Sequence, residues 1–183
     1  MFAYAITDPS TLHFETLADD LAHFSKRASM IVYRDKNTLE YAKNAQLFVA
    51  YAQSFDKVLL HGDYLLSKVC QADGVHLQST QFDDIAKAKA LDLFVIVSTH
   101  SIDEAKTAQL LGADMVTFSP VFDTPNKAQA VGIDSLKKVI SAIDIPVIAL
   151  GGILTQKQID ACADAGAKGF ASIRYYRNPY LDL

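Results

Sequence analysis

Short apolar runs alternate along the chain with longer stretches of helical periodicity. The runs are residues 2–6, 30–33, 57–60, 74–77, 94–97, 115–118, 146–150 and 169–173. They are nearly continuous in hydrophobic residues and rich in Val, Ile and Phe, the pattern of parallel strands buried on both faces. The segments between them carry helix-end signals. Asn37 and Glu40, Ser101 and Glu104, and Thr155 and Gln158 have the spacing of a capping box, in which a short polar side chain and a residue three positions later satisfy each other's backbone amides. Gly112 and Gly166 stand where a helix ends in the left-handed conformation.

One element recurs, as Ala72-Asp73-Gly74-Val75, Gly112-Ala113-Asp114-Met115-Val116 and Gly166-Ala167-Lys168-Gly169-Phe170. Each copy is a helix end, a tight turn and a buried strand. Repeated βα steps without Pro/Ser-rich linkers predict one closed sheet: a single domain over residues 1–183, an α/β fold of the (β/α)8 TIM-barrel type. An open doubly wound sheet gives the same alternation and stays open at this point. The barrel is compact, at 183 residues against the ~250 of a typical one. After residue 173 only RYYRNPYLDL follows, interrupted by Pro179, so a truncated or missing eighth helix is expected. That leaves part of the wall bare or covered by a second subunit, and a homodimer is one expectation.

Composition narrows the class. Half the residues are hydrophobic and the net charge is −4, with both signs mixed along the chain. There is no basic block or aromatic RNA-type motif, which argues against nucleic acid as a partner. Cys70 and Cys162 lack CxxC spacing and read as buried thiols. No apolar run approaches the ~20 residues of a membrane span, and MFAYAITD has no leader-like pattern, so a cytoplasmic location is expected.

In such a barrel the residues just after each strand face the active site. The second strand end offers Arg34, Asp35 and Lys36, and the third His61, Gly62 and Asp63. Gln78 and Ser79 follow the fourth, and Ser98, Thr99 and His100 the fifth. Thr124, Asn126 and Lys127 lie in the loop after the sixth. Gly151 and Gly152 follow the seventh strand, and Ser172 and Ile173 end the eighth. The last two ends together suggest a phosphate cradle, since backbone N–H groups reach an anion only where side chains are absent; a turn that merely needs Gly is the plainer reading. Arg34, Lys36 and Lys127 read as an anion clamp or as solvated surface. His100 is of the residue type suited to general acid/base work at neutral pH, or it is structural. His76, inside its strand, reads as a packed core residue, and the role of His61 is open.

Several stretches, in order, look familiar. They include Tyr4-Ala5-Ile6-Thr7-Asp8, Tyr33-Arg34-Asp35-Lys36, Ala72-Asp73-Gly74-Val75-His76-Leu77 and Val97-Ser98-Thr99-His100-Ser101. Phe118-Ser119-Pro120-Val121-Phe122-Asp123-Thr124-Pro125-Asn126-Lys127 and Pro146-Val147-Ile148-Ala149-Leu150-Gly151-Gly152-Ile153 follow. The set resembles the thiamine phosphate synthase superfamily, which includes the TenI-type thiazole tautomerases. The resemblance implies a thiamine-pathway enzyme that binds a thiazole phosphate. It places the phosphate at Gly152, Ser172 and Ile173, with Thr124 and Gly132 nearby, and sets Arg34, Lys36 and Lys127 against the diphosphate that synthases grip.

The departures separate the two activities. Synthases carry Asn-Asp after the third strand, where His61-Gly62 stands here, and Gly-Gln-x-Asp after the fourth, where Gln78-Ser79-Thr80-Gln81 stands. Those two family aspartates ligate Mg²⁺, a cation that demands oxygen ligands. Asp63 replaces one of them only by a one-residue shift, and Val32 stands where the family has Gln. The expectation is therefore a metal-independent, cofactor-free thiazole phosphate tautomerase with His100 as the proton carrier. The alternative is the synthase, which joins the thiazole phosphate to a hydroxymethylpyrimidine diphosphate with Mg²⁺. A homologue that binds a phosphate ligand without chemistry is the third reading.

Overall fold

The structure is a computed structural model that describes residues 1–124 and 129–177. Eight parallel strands close into a barrel in sequence order, and the last pairs with the first. The closed ring excludes the open doubly wound sheet. The strands are β1 (Phe2–Ile6), β2 (Met30–Tyr33), β3 (Lys57–His61), β4 (Gly74–Leu77), β5 (Phe94–Thr99), β6 (Met115–Phe118), β7 (Val147–Leu150) and β8 (Gly169–Ser172). The helices are α1 (Leu17–Ser25), α2 (Tyr41–Tyr51), α3 (Tyr64–Val69), α4 (Ile85–Ala90), α5 (Ile102–Leu110), α6 (Gly132–Ile140) and α7 (Gln156–Asp164).

The continuous apolar runs are explained by two cores. Alternate strand residues fill the barrel interior, among them Tyr4, Ile6, Met30, Val32, Leu59, Ile96 and Ile148. Their neighbours face the helices: Ala5, Ile31, Leu60, Val75, Val97 and Val116 pack with Phe24, Phe48, Ile85, Leu136 and Cys162. A strand between these layers has no solvent face, so period-two polarity is lost from its sequence while period-two geometry remains. Cys70 and Cys162 are both free thiols, the second buried. No helix among the described residues is long and apolar enough to cross a membrane.

The helix ends follow the sequence in two of three places. Thr155 and Gln158 form the full capping box. Ser101 accepts from the Glu104 amide, but the Glu104 carboxylate takes the His100 N–H at 2.6 Å, one residue earlier than the box requires. Asn37 caps nothing. The Asp35 carboxylate accepts from the Asn37 and Thr38 amides at 2.9 and 3.2 Å, which makes a local turn and delays α2 to Tyr41.

After β8 comes a single 3-10 turn, Arg174–Tyr176, in place of an eighth helix. The wall at this point is covered by residues of the chain itself. Tyr176 is 1% exposed and packs on Phe24 and Phe170. Tyr175 stands edge-on to Phe170, while Arg27 lies 4.0 Å from its ring centroid and donates to its carbonyl at 3.1 Å. Two tyrosines thus cover the seam between α1 and β8.

Candidate active site at the barrel mouth

A cavity of about 410 Å³ opens at the C-terminal ends of the strands, within the range of small-ligand sites. Of the residues the sequence singled out, it brings together Arg34, Lys36, His61, Ser98, His100, Thr124, Gly151 and Ile173. Gln78, Ser79 and His76, also named from the sequence, line it with Ser119, over an apolar floor of Ile6, Pro120 and Leu150. Gly152, Ser172 and Gly132 are not part of the lining. Lys127 and Asn126 lie outside the described residues.

The strand ends are tied before any ligand arrives. Thr7 donates to the Val32 carbonyl at 2.9 Å and accepts from the Arg34 amide at 3.2 Å, which fixes the start of the Arg34–Lys36 segment. The Tyr41 hydroxyl lies 3.0 Å from the Tyr33 carbonyl and 3.1 Å from that of His61, and accepts from the His61 amide at 3.0 Å. It therefore locks the ends of β2 and β3 together, a role that a residue inside a predicted helix does not announce.

The charged side chains that line the cavity are cations. Arg34 and Lys36 line it and, among the described residues, no carboxylate does. Burial holds His61 at a pKa of about 4, and the nearby Arg34 and Lys36 charges add to the depression. His76 is held at about 3, by burial first and then by His61 and Arg34. Both imidazoles are neutral at physiological pH, so they add no charge to the cavity lining.

His100 is oriented rather than buried. Its Nδ1 lies 2.9 Å from the Ser119 carbonyl oxygen, which can only accept, so Nδ1 carries the proton. In the neutral ring Nε2 is then the basic edge, as a general base requires. Ser119 acts here through its backbone, which is why a search of side-chain types missed it. The Ser119 hydroxyl itself is 3.4 Å away.

The glycines serve packing as well as any ligand. A Cβ at Gly151 would lie 2.7 Å from the Pro120 Cα, and one at Gly152 would lie 2.5 Å from the Asp123 carbonyl oxygen. Both have positive φ, +100° and +68°. The plainer reading of the pair thus holds, beside whatever an anion gains from the same bare backbone. Ser172 is 6% exposed; its hydroxyl donates to the Ile153 carbonyl at 2.9 Å and accepts from the Tyr175 amide at 3.2 Å. Only its backbone is left for a phosphate.

The residues present do not fit Mg²⁺. Asp63, the one candidate ligand, is the N-cap of α3 and accepts from the Leu66 amide at 2.8 Å. It borders a neighbouring groove with Asp35, Tyr41 and Gly62, not the cavity. Gln81 is also engaged: it donates to the Gly62 carbonyl at 2.7 Å and accepts from the Gln78 amide at 3.1 Å. Among the described residues no three His, Cys, Asp or Glu side chains are grouped to hold a metal. Neither Asp63, His61 nor Gln81 rebuilds a site with the carboxylate charge that Mg²⁺ favours.

The model of the thiamine monophosphate synthase family matches residues 3–175. The chain belongs to that family. A protein of Aquifex aeolicus with the provisional name thiamine-phosphate synthase 2 is 33% identical over 180 residues, covering 94% of this chain and 96% of that protein. The thiamine-phosphate synthase of Fusobacterium nucleatum is 32% identical over 159 residues, covering 82% and 77%. Among solved structures, thiamine phosphate pyrophosphorylase from Pyrococcus furiosus superposes with a TM-score of 0.81 at 26% identity, covering 94% of this chain and 85% of the other. The family is one of thiamine biosynthesis, and these relatives carry the name of an enzyme.

Proposed function

We propose that this family member binds a thiazole phosphate and converts it to its aromatic carboxythiazole tautomer without a metal. The observation that carries the reading is the composition of the cavity: two cations, a His100 with its basic edge available, and no lining carboxylate. The bare backbone at Gly151 and Ile173 just after β8, which line the cavity, would hold the phosphate with Thr124 beside it; Gly152, Ser172 and Gly132 are assigned to it by the resemblance alone. Anchoring the remote phosphate restrains the ring next to His100, and that orientation lowers the barrier. His100 Nε2 removes a proton from one carbon of the ring system and returns it to another, so no atom is gained or lost.

A second reading has its own support. The relatives are named for the synthase, which joins the thiazole phosphate to a pyrimidine diphosphate. The Arg34–Lys36 pair suits a diphosphate as well as a phosphate. One experiment separates the two. The purified protein is given the thiazole tautomer alone, and separately the thiazole phosphate with the pyrimidine diphosphate, each with Mg²⁺ and with chelator. Chelator-insensitive aromatisation is expected. Mg²⁺-dependent thiamine phosphate, with no aromatisation beyond the spontaneous rate, would establish the synthase instead. Neither product, with binding retained, would leave a ligand binder without chemistry.

A further inference from the structure

Tyr4 and His76 lie deep in the barrel interior, 0% and 2% exposed, under the cavity just described. The Tyr4 hydroxyl is 3.0 Å from His76 Nδ1. On the other side of the ring, Nε2 is 3.0 Å from the Ser98 Oγ, and Ser98 lines the cavity. A hydrogen-bonded chain therefore runs from the buried core to the ligand space.

The chain has two possible polarities, because a neutral imidazole donates from one nitrogen and accepts at the other. A proton on Nδ1 would point at the Tyr4 oxygen and leave the phenolic proton without an acceptor in a fully buried place. Tyr4 has no other hydrogen-bond partner among the described residues. With the proton on Nε2, Tyr4 donates to Nδ1 and Nε2 donates to Ser98. Only Ser98, at the half-buried end, then has a proton left to place, and the open side is the cavity. Burial at the far end decides the direction, since unpaired polar groups cost most where water is absent.

We propose that Tyr4 and His76 are positioning residues that hold the Ser98 hydroxyl as a hydrogen-bond donor into the cavity, aimed at an anionic oxygen of the ligand. The inference rests on the phosphate-ligand reading above and adds to it the group that orients the ligand from below. Tyr4 stays protonated because burial raises its pKa well above the usual phenol value. His76 stays neutral down to about pH 3, so the polarity of the chain does not change over the working range.

The test has two independent arms. Nitrogen NMR of the ligand-free protein is expected to show His76 protonated at Nε2 and bare at Nδ1. Protonation at Nδ1 overturns the proposal, whatever the substrate is. The second arm measures the Kd for the thiazole phosphate in Ser98→Ala, Tyr4→Phe and the double variant. Tyr4→Phe keeps the ring and its packing. Ser98→Ala is expected to weaken binding about tenfold, and Tyr4→Phe three- to tenfold. In the Ser98→Ala background Tyr4→Phe should have no further effect, because the phenol acts only through the serine. An equal loss in both backgrounds would make Tyr4 a packing residue and overturn the proposal. A wild-type protein that does not bind the thiazole phosphate sinks the proposed substrate, and the tautomer measurement then decides the relay alone.

Discussion

At the base of the barrel the Asp114 carboxylate accepts from the Val95 amide at 2.7 Å and takes Lys89 at 2.8 Å, while Asp73 does the same for the Val58 amide at 2.7 Å. At the mouth, Arg34 and Lys36 line a cavity that no described carboxylate shares. The base even carries the wider depression, about 630 Å³ between Lys57, Lys68, Lys89, Asp73 and Asp92, lined by both signs of charge. Lys68 donates to the Leu91 carbonyl and Lys57 sits 5.5 Å from the Phe94 ring centroid. Size does not mark the site; a lining of cations without a described carboxylate, beside an oriented histidine, does. Base residues stabilise the ring, and mouth residues line the space for a ligand.

The largest expected effect falls at the mouth. His100→Ala should lower turnover of the thiazole tautomer by about 10²- to 10⁴-fold, the usual contribution of a general acid/base. Its melting temperature should stay within a degree or two, because the ring is exposed and its one anchor is a carbonyl. A large loss of stability with the activity would erase the distinction between the two ends. At the base the pattern should invert. Asp114→Ala strips the partner from the Val95 amide in a fully buried strand and should cost about 1–3 kcal/mol of stability. Chemical denaturation checks the cost, and kcat and KM should be those of the wild type.

That asymmetry also governs what could be read from the sequence. The eight strands were legible because burial on both faces writes long apolar runs, and the recurring Ala-Asp step was legible because the base repeats one solution. In that step Asp73 and Asp114 each bond the amide that starts the preceding strand's ladder. The mouth has no repeat. His76 read as core because it stands between Val75 and Leu77, and it is buried. Those neighbours face the helices, so period two alone puts His76 on the interior side, under the ligand. Asp63 invited a metal role by its distance from the strand end. A short polar residue just before Tyr64-Leu65-Leu66 is also an N-cap signal, and the cap is what the carboxylate makes. Ser119 had no sequence signal, since its contribution to His100 is a backbone oxygen. Tyr175 and Tyr176 had a weak one: aromatic residues directly after a last strand, where a helix is missing, must cover its seam.

A smaller effect tests the surroundings of His61 at the mouth. The folded chain holds His61 near pKa 4, whereas an unfolded chain leaves it near its ordinary 6.5. Above pH 6.5 neither state is protonated and the group contributes nothing to the pH dependence. As pH falls from about 6.5 to 4, the unfolded state takes up a proton that the folded state refuses, so stability falls through that window. One proton corresponds to about 1.4 kcal/mol per pH unit at most, and the partial exposure of His61 reduces this to about 1. His61→Asn should flatten the dependence of unfolding free energy on pH by that amount between pH 6 and 4. An unchanged slope would mean that neither burial nor the Arg34 and Lys36 charges depress the ring in the folded chain.

The smallest effect returns to the base and to the non-glycine helix ends. Gly112 and Gly166 terminate α5 and α7 with φ of +94° and +97°, but Gln71 and Asp92 do the same for α3 and α4 at +58° and +60°. In each case the next residue's amide reaches back into the last turn: Ala72 to the Ser67 carbonyl at 3.0 Å, and Leu93 to that of Ala88 at 3.2 Å. The geometry is the one glycine favours, held here by residues with a Cβ. Gln71→Gly relieves that strain while loosening the unfolded chain, and the difference should be a gain of about 0.5–1 kcal/mol. Asp92→Gly should gain less, since aspartate tolerates the left-handed region better than glutamine. Both gains should appear in denaturation midpoints with activity unchanged. A destabilised Gln71→Gly would show that its side chain, which borders the basal depression, makes contacts worth more than the strain. The base would then be less purely a matter of backbone than the repeat implies.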